Sequence, residues 1–148
     1  MARPLVASID KKFAAGSVWE HVYFILGDVS ASRDPFAMLL ARSDVRVERL
    51  VIVNDTAIAT DPANHWTFVL TNRGTDGTGV TSLFAVNPTS DSDVAGAQAF
   101  AAFDAQVWTP DQNQEVALGA VLSLTITRTG APADLGQLTV GLEFRQNT

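Results

Sequence analysis

Apolar and polar residues alternate strictly in two runs near the end of the chain, AVLSLTIT from Ala120 and QLTVGLEF from Gln137. In the first, Leu122, Leu124 and Ile126 point one way while Ser123, Thr125 and Thr127 point the other. In the second, Leu138, Val140, Leu142 and Phe144 alternate with Thr139, Gly141, Glu143 and Arg145. A period of two sends successive side chains to opposite faces of a strand, so both runs predict half-buried antiparallel strands. The turn-rich RTGAPADLG between them predicts a terminal hairpin.

The same reasoning extends upstream. VWEHVYFILGD, residues 18–28, is aromatic and β-branched and stops at a Gly-Asp pair, which predicts a buried strand. Asp34-Pro35 opens FAMLLAR, a run that fits a short helix or a strand and is assigned here to a strand. VRVERLVIV, residues 45–53, begins with Val45 and Val47 inward, with Arg49 at the next inward position, and ends in four apolar residues buried on both faces. HWTFVLTNR puts Trp66, Phe68 and Leu70 on one face, and GTDGTG turns it back into VTSLFAV, so these two runs should pair. A long loop over 87–99 leads to FAAFDAQVW, which fits a two-turn helix or a strand, and then to a short strand over 114–118.

About eight short strands with almost no helical period predict an all-β chain: an antiparallel β-sandwich, jelly-roll-like, forming one domain over residues 18–148. Residues 1–17 carry Pro4 and Gly16-Ser17 without a clear period and read as an extended N-terminal arm. Four sizeable apolar side chains there, Leu5, Val6, Ile9 and Phe13, exceed what a solvated tail needs. Arg3, Lys11 and Lys12 make the arm basic in a chain of net charge −6, and Lys11 and Lys12 are its only lysines. The arm therefore predicts docking on another surface.

Composition narrows the function. At 148 residues one core suffices without staples, and the chain has no cysteine for disulfides or thiolate metal sites. The acidic balance argues against nucleic acid as partner. The longest apolar run, VYFIL, is too short to span a bilayer, which predicts a protein made in the cytoplasm with no membrane partner. Charged residues make up 18% of the chain, below the usual quarter, so the surface is rich in hydroxyls and amides that are cheaper to desolvate against another protein.

Chemistry-bearing patterns are sparse. His21 and His65 each stand beside an aromatic residue with no second ligand at motif spacing. No GxSxG elbow occurs, and GTDGTG lacks the GK[ST] ending of a phosphate loop and leads into a strand. Asp76, Asp91 and Asp93 lie in loops outside any complete EF-hand pattern. Trp108, next to Thr109-Pro110, is the candidate exposed aromatic for a contact surface or a stacked sugar. No catalytic residue, metal or cofactor is assigned, and the chain is not expected to be an enzyme.

From Val45 onward, VRVERLVIVND, HWTFVLTNRGTDGTG and EVALGAVLSLTITRTGAPADLGQLTVGLEF resemble the small all-β decoration, or cement, proteins of tailed-bacteriophage heads. Ala120 departs from the pattern, in which a polar residue tends to follow the glycine. The resemblance implies a virion protein on the outer capsid surface, a homotrimer that binds the major capsid protein and ties neighbouring subunits against the pressure of packaged DNA. On that basis Arg3, Leu5, Val6, Ile9, Lys11, Lys12 and Phe13 are expected to make capsid or subunit contacts. The outward Ser-Thr row of the terminal runs is expected to pack against a sister subunit. A head fibre or spike module that binds a receptor or glycan is the alternative, and a small hydrolase a third.

Overall fold

The computed structural model describes residues 12–14 and 17–147, with side chains from Glu20 onward. It is all-β: β1 (Lys12–Ala14), β2 (Ser17–Val29), β3 (Arg33–Leu40), β4 (Val45–Val53), β5 (His65–Asn72), β6 (Thr81–Ser82), β7 (Ala105–Trp108), β8 (Glu115–Val116), β9 (Val121–Thr129) and β10 (Leu135–Gln146). Two antiparallel sheets form. The first runs β1-β2-β10-β4-β7, with β8 also on β4, and the second runs β3-β9-β5-β6. The expected sandwich is therefore present. FAMLLAR lies in a strand, and FAAFDAQVW resolves into an isolated bridge at Phe100 followed by β7.

The inward rows read from the sequence are the core. Leu122, Leu124, Ile126, Leu138, Val140 and Leu142 are fully buried, Phe144 nearly so, and Trp66, Phe68 and Leu70 join them. The terminal hairpin is not formed. β9 lies in the second sheet between β3 and β5, and β10 in the first between β2 and β4, so RTGAPADLG is an arch over the end of the sandwich. The physical reason is that both runs present one apolar face of similar length. Those faces bury more surface opposed across the core than side by side in one sheet.

Two of the register shifts between strands adjust the expected alternation in the first sheet. The β4–β10 register shifts between Glu143 and Phe144, where Glu143 pairs with Arg49 and Phe144 with Val47. The extra residue, Glu48, lets Val47 and Leu50 both point into the core and turns Arg49 out to solvent, contrary to its expected inward position. A second shift lies between Leu138 and Thr139, opposite Gly27, whose φ of +67° is in the left-handed region. There the Gly-Asp pair expected to end the strand bends β2 and lets it run on to Val29.

The two long sides of the sandwich are finished differently. On one, β4 pairs with β7 and β8, and the edge of β5 is occupied by β6 and then by the 83–90 segment: Leu83 N–H donates to Leu70 O, Phe68 N–H to Pro88 O and Ser90 N–H to Trp66 O. The run expected to be a second full hairpin strand, VTSLFAV, pairs only through Thr81 and Ser82 before folding Leu83 and Phe84 into the core. On the other side, β2 and β3 are the outermost long strands. Among the described residues β2 is paired there only over Ser17–Trp19, by β1.

Candidate interaction face

The cross-strand register builds the outer face of the first sheet in rows. His21 stands opposite Glu143, which stands opposite Arg49. The next row is Tyr23, Gly141, Val51 and Val107, and the next Ile25, Thr139, Val53 and Ala105. These are the residues whose neighbours along each strand point into the core, which leaves them outward by the two-residue period. Ile25 is 46% exposed and Val107 40%. At the end of this sheet Phe103 is 79% exposed and held at φ 61°, its N–H donating to Asn54 O at 2.7 Å. Phenylalanine rarely adopts the left-handed region, so the fold sustains a strained backbone while leaving an aromatic ring in water.

Gly141 sets the contour of the central row. A Cβ there would lie 2.6 Å from Cε1 of Tyr23, so the tyrosine ring fills the space above the glycine. The ring of His21 stacks on Tyr23 at 6.0 Å between centroids and 11° between planes. Burial, with the Glu143 charge as the smaller cause, raises the Tyr23 phenol above its ordinary value and keeps it neutral.

One end of the face is charged and paired. Glu143 lies 3.5 Å from His21 Nδ1 and 3.6 Å from Arg49 Nη1. Arg145 Nε donates to Glu48 Oε1 at 2.6 Å, and Arg46 reaches Glu48 at 3.4 Å and Glu115 at 3.1 Å. Arg46 and Arg49 thus belong to a mixed-sign border. An apolar band beside a paired, charged rim is the make-up of a protein contact surface.

Elsewhere, an open polar cleft of about 660 Å³ is lined by Arg46, Asn72, Thr81, Asp111, Gln112, Asn113, Gln114 and Glu115. Gln112 and Asn113 both donate to Ser82 O, so part of its amide capacity is used in holding the cleft together. His65 is buried and lies 3.7 Å from Asp91. Among the described residues no group of three or more His, Asp or Glu side chains is placed to hold a metal ion.

The structure corrects the assignment of Trp108 as an exposed aromatic. It is partly buried, 6.5 Å from the ring of Phe68 and 6.0 Å from that of Phe100, because β7 pairs with β4 in the register that turns Trp108 inward and Val107 outward. Among the described side chains Phe103 is the exposed aromatic ring. The outward Ser-Thr row is only partly free: Ser123 is buried and accepts from Arg73 Nε at 2.9 Å, and Thr127 is exposed. Arg3, Leu5, Val6, Ile9 and Lys11 lie outside the described residues, while Lys12 and Phe13 are described as backbone of β1. The sheet-face residues were missed in the sequence because Val51 and Val53 sit in an apolar run that reads as buried on both faces, and because the run holding Val107 fits a helix as well as a strand. No protein-family profile matches the chain, and no curated protein matches it.

Proposed function

We propose that this protein is a structural component of a phage virion that adds to the outside of an assembled capsid and ties neighbouring major capsid subunits together. The observation that carries the reading is the outward apolar band of the first sheet, with Ile25 and Val107 exposed and Tyr23, Val51 and Val53 half-buried between them, beside a paired charged rim. Exposed apolar area of this kind on a small domain marks an interaction surface. The strand order β2-β10-β4-β7 facing β3-β9-β5-β6 also supports an eight-stranded jelly roll with small additions, a scaffold that recurs in viral shells. A homotrimer suits the role, since a trimer that engages one subunit makes its second and third contacts intramolecular.

The amide- and hydroxyl-lined cleft favours glycan binding as the second reading, because such groups match the hydrogen-bonding capacity of a sugar. Cosedimentation with purified capsids separates the two. The native protein is expected to pellet with shells, and the variant Phe103→Asn/Val107→Asp to bind at least tenfold more weakly with its melting temperature little changed. Equal binding by the variant removes the face from the contact. No binding to shells, with retention on a glycan array, selects the cleft. Analytical ultracentrifugation of the free protein reads the trimer directly.

A further inference from the structure

We infer that the cleft at the end of the sandwich binds a neutral, polyhydroxylated ligand, one or two sugar units of a glycan, and that it does so apart from the apolar face. The inference rests on the glycan reading of the cleft and not on the shell reading, since both surfaces belong to one molecule.

The cleft straddles the two sheets. Arg46 on β4 and Glu115 on β8 line it from the first sheet, and Asn72 on β5 and Thr81 on β6 from the second, with the 111–114 segment as the remaining wall. Its volume of about 660 Å³ falls within the roughly 300–1,000 Å³ of small-molecule sites. Phe103 belongs to the other end of the molecule: its N–H meets Asn54 O just past the last residue of β4, whereas Arg46 lies at the start of that strand. At about 3.3 Å per residue the two points are roughly 25 Å apart, so the cleft and the exposed ring serve different ends of the sandwich.

The polar wall is fixed before any ligand arrives. Gln112 N–H donates to Leu83 O at 3.3 Å and Val47 N–H to Gln114 O at 2.9 Å, which ties the segment to both sides of the cleft. Asp111 Oδ1 accepts from Ala85 N–H at 2.7 Å. Asn113 holds φ at 50°, a left-handed value that asparagine adopts more readily than most residues, and its amide donates to Ser82 O at 2.9 Å. Groups held in this way lose little freedom on binding.

What those bonds leave over matches hydroxyl groups. Asn72 Oδ1 accepts from Gly74 N–H at 2.9 Å, so its Nδ2 remains as a donor. Gln112 and Asn113 spend amide protons on Ser82 O and keep their carbonyl oxygens. Asp111 keeps Oδ2, and the Thr81 hydroxyl has no partner among the described residues. A sugar hydroxyl both donates and accepts, so it can use donors and acceptors placed together. Charged ligands fit less well. Arg46 already meets Glu115 at 3.1 Å and Glu48 at 3.4 Å, which leaves little positive charge for an anion. Glu115 spends its two oxygens on Arg46 and Asn147, so Asp111 is the lining carboxylate left for a divalent cation, which needs six or more oxygens from protein and water. No aromatic ring is among the lining residues, so a sugar has no stacking surface and one site is expected to bind in the millimolar range.

The test is an NMR titration of the isotope-labelled full-length chain with a panel of neutral mono- and disaccharides of gluco, galacto and manno configuration. At least one sugar is expected to shift the side-chain amide signals of Asn72, Gln112 and Asn113 and to saturate at millimolar concentration. Asn72→Asp keeps an oxygen for Gly74 N–H but removes the donor, and Thr81→Val keeps the shape but removes the hydroxyl. The first is expected to weaken binding at least tenfold and the second at least threefold, each with its melting temperature little changed. Shifts outside the cleft, or undiminished in both variants, would overturn the site while leaving glycan binding in place. No shift from any sugar would overturn the ligand class as well, as would tighter binding of inorganic phosphate or calcium ions than of every sugar. Cosedimentation with capsids is read separately. Asn72→Asp is expected to match the native chain there, and weaker pelleting would overturn the separation of the cleft from the shell contact. A native chain that binds a sugar but no shells fails the shell reading alone.

Discussion

The two long sides of the sandwich, one bounded by β7, β8 and the 83–104 segment and the other by β2 and β3, solve the same problem differently. On the first, backbone groups are paired and rings are locked together: Phe100 is buried in edge-on contact with Phe68 and Trp108, and Ile58 and Phe100 exchange backbone hydrogen bonds of 2.8 Å in both directions. Ser90 and Thr89 complete that side, the Ser90 hydroxyl accepting from Trp66 N–H at 3.0 Å and the Thr89 hydroxyl donating to Trp66 O at 2.9 Å. On the second side, Phe24 and Phe36 meet edge-on at 6.5 Å, but Phe36, Val22 and Leu26 stay partly exposed. A loop without regular structure thus closes a core as completely as a strand does when its polar groups find partners.

The largest expected effect breaks this comparison directly. Phe100→Ala should cost about 3–5 kcal/mol, the range for emptying a buried aromatic site, because the ring is enclosed by two others. Phe36→Ala, on the β2–β3 side, should cost about half as much, since part of that ring already meets water. Chemical denaturation of both variants measures the difference. Equal losses would mean that the β2–β3 side is as tightly packed as its opposite.

A smaller effect is expected in the middle of the first sheet. Gly141→Ala drives a methyl group into the Tyr23 ring and should destabilise by about 1–3 kcal/mol, as overpacking does. Tyr23→Ala in the same chain should recover much of that loss, and a thermal melt of the single and double variants shows whether it does. If the two losses simply add, the glycine is required for another reason.

The smallest effect lies in the loop that leads into β5 on the closed side. The Asp61 carboxylate accepts from the N–H groups of Ala63 at 2.7 Å and Asn64 at 2.8 Å, and these bonds hold its pKa below the ordinary 3.8. A depressed folded-state pKa confers stability that is fully present above the unfolded value and is lost as pH falls through the folded one. The native chain should therefore lose this contribution only below about pH 4. Asp61→Asn should flatten that part of the acid unfolding curve and lower stability slightly at neutral pH, where the native carboxylate's contribution is fully present.

Alternation in the sequence identified the core residues of β4, β5, β9 and β10 well, because burial of one face of a strand is written in every second residue. It could not say which sheet a strand joins. Leu122 to Ile126 and Leu138 to Phe144 look identical in pattern whether paired side by side or opposed across a core, and only the global packing put them in different sheets. The same limit hid the interaction face: Val51 and Val53 point outward, but an apolar residue in an apolar run carries no mark of its direction. Arg49 and Trp108 were misplaced for local reasons, a one-residue bulge at Glu48 and the register of β7 on β4.

By itself, then, the sequence determined an all-β chain, its strands and most of its core, since these follow from a period set by backbone geometry. Tertiary structure alone decided the partition into two sheets, the closing of one side by the 83–104 segment, and the outward apolar band that runs from Ile25 to Val107. Those features depend on which distant segments meet, and contacts between residues far apart in the chain leave no local signature in the order of its amino acids.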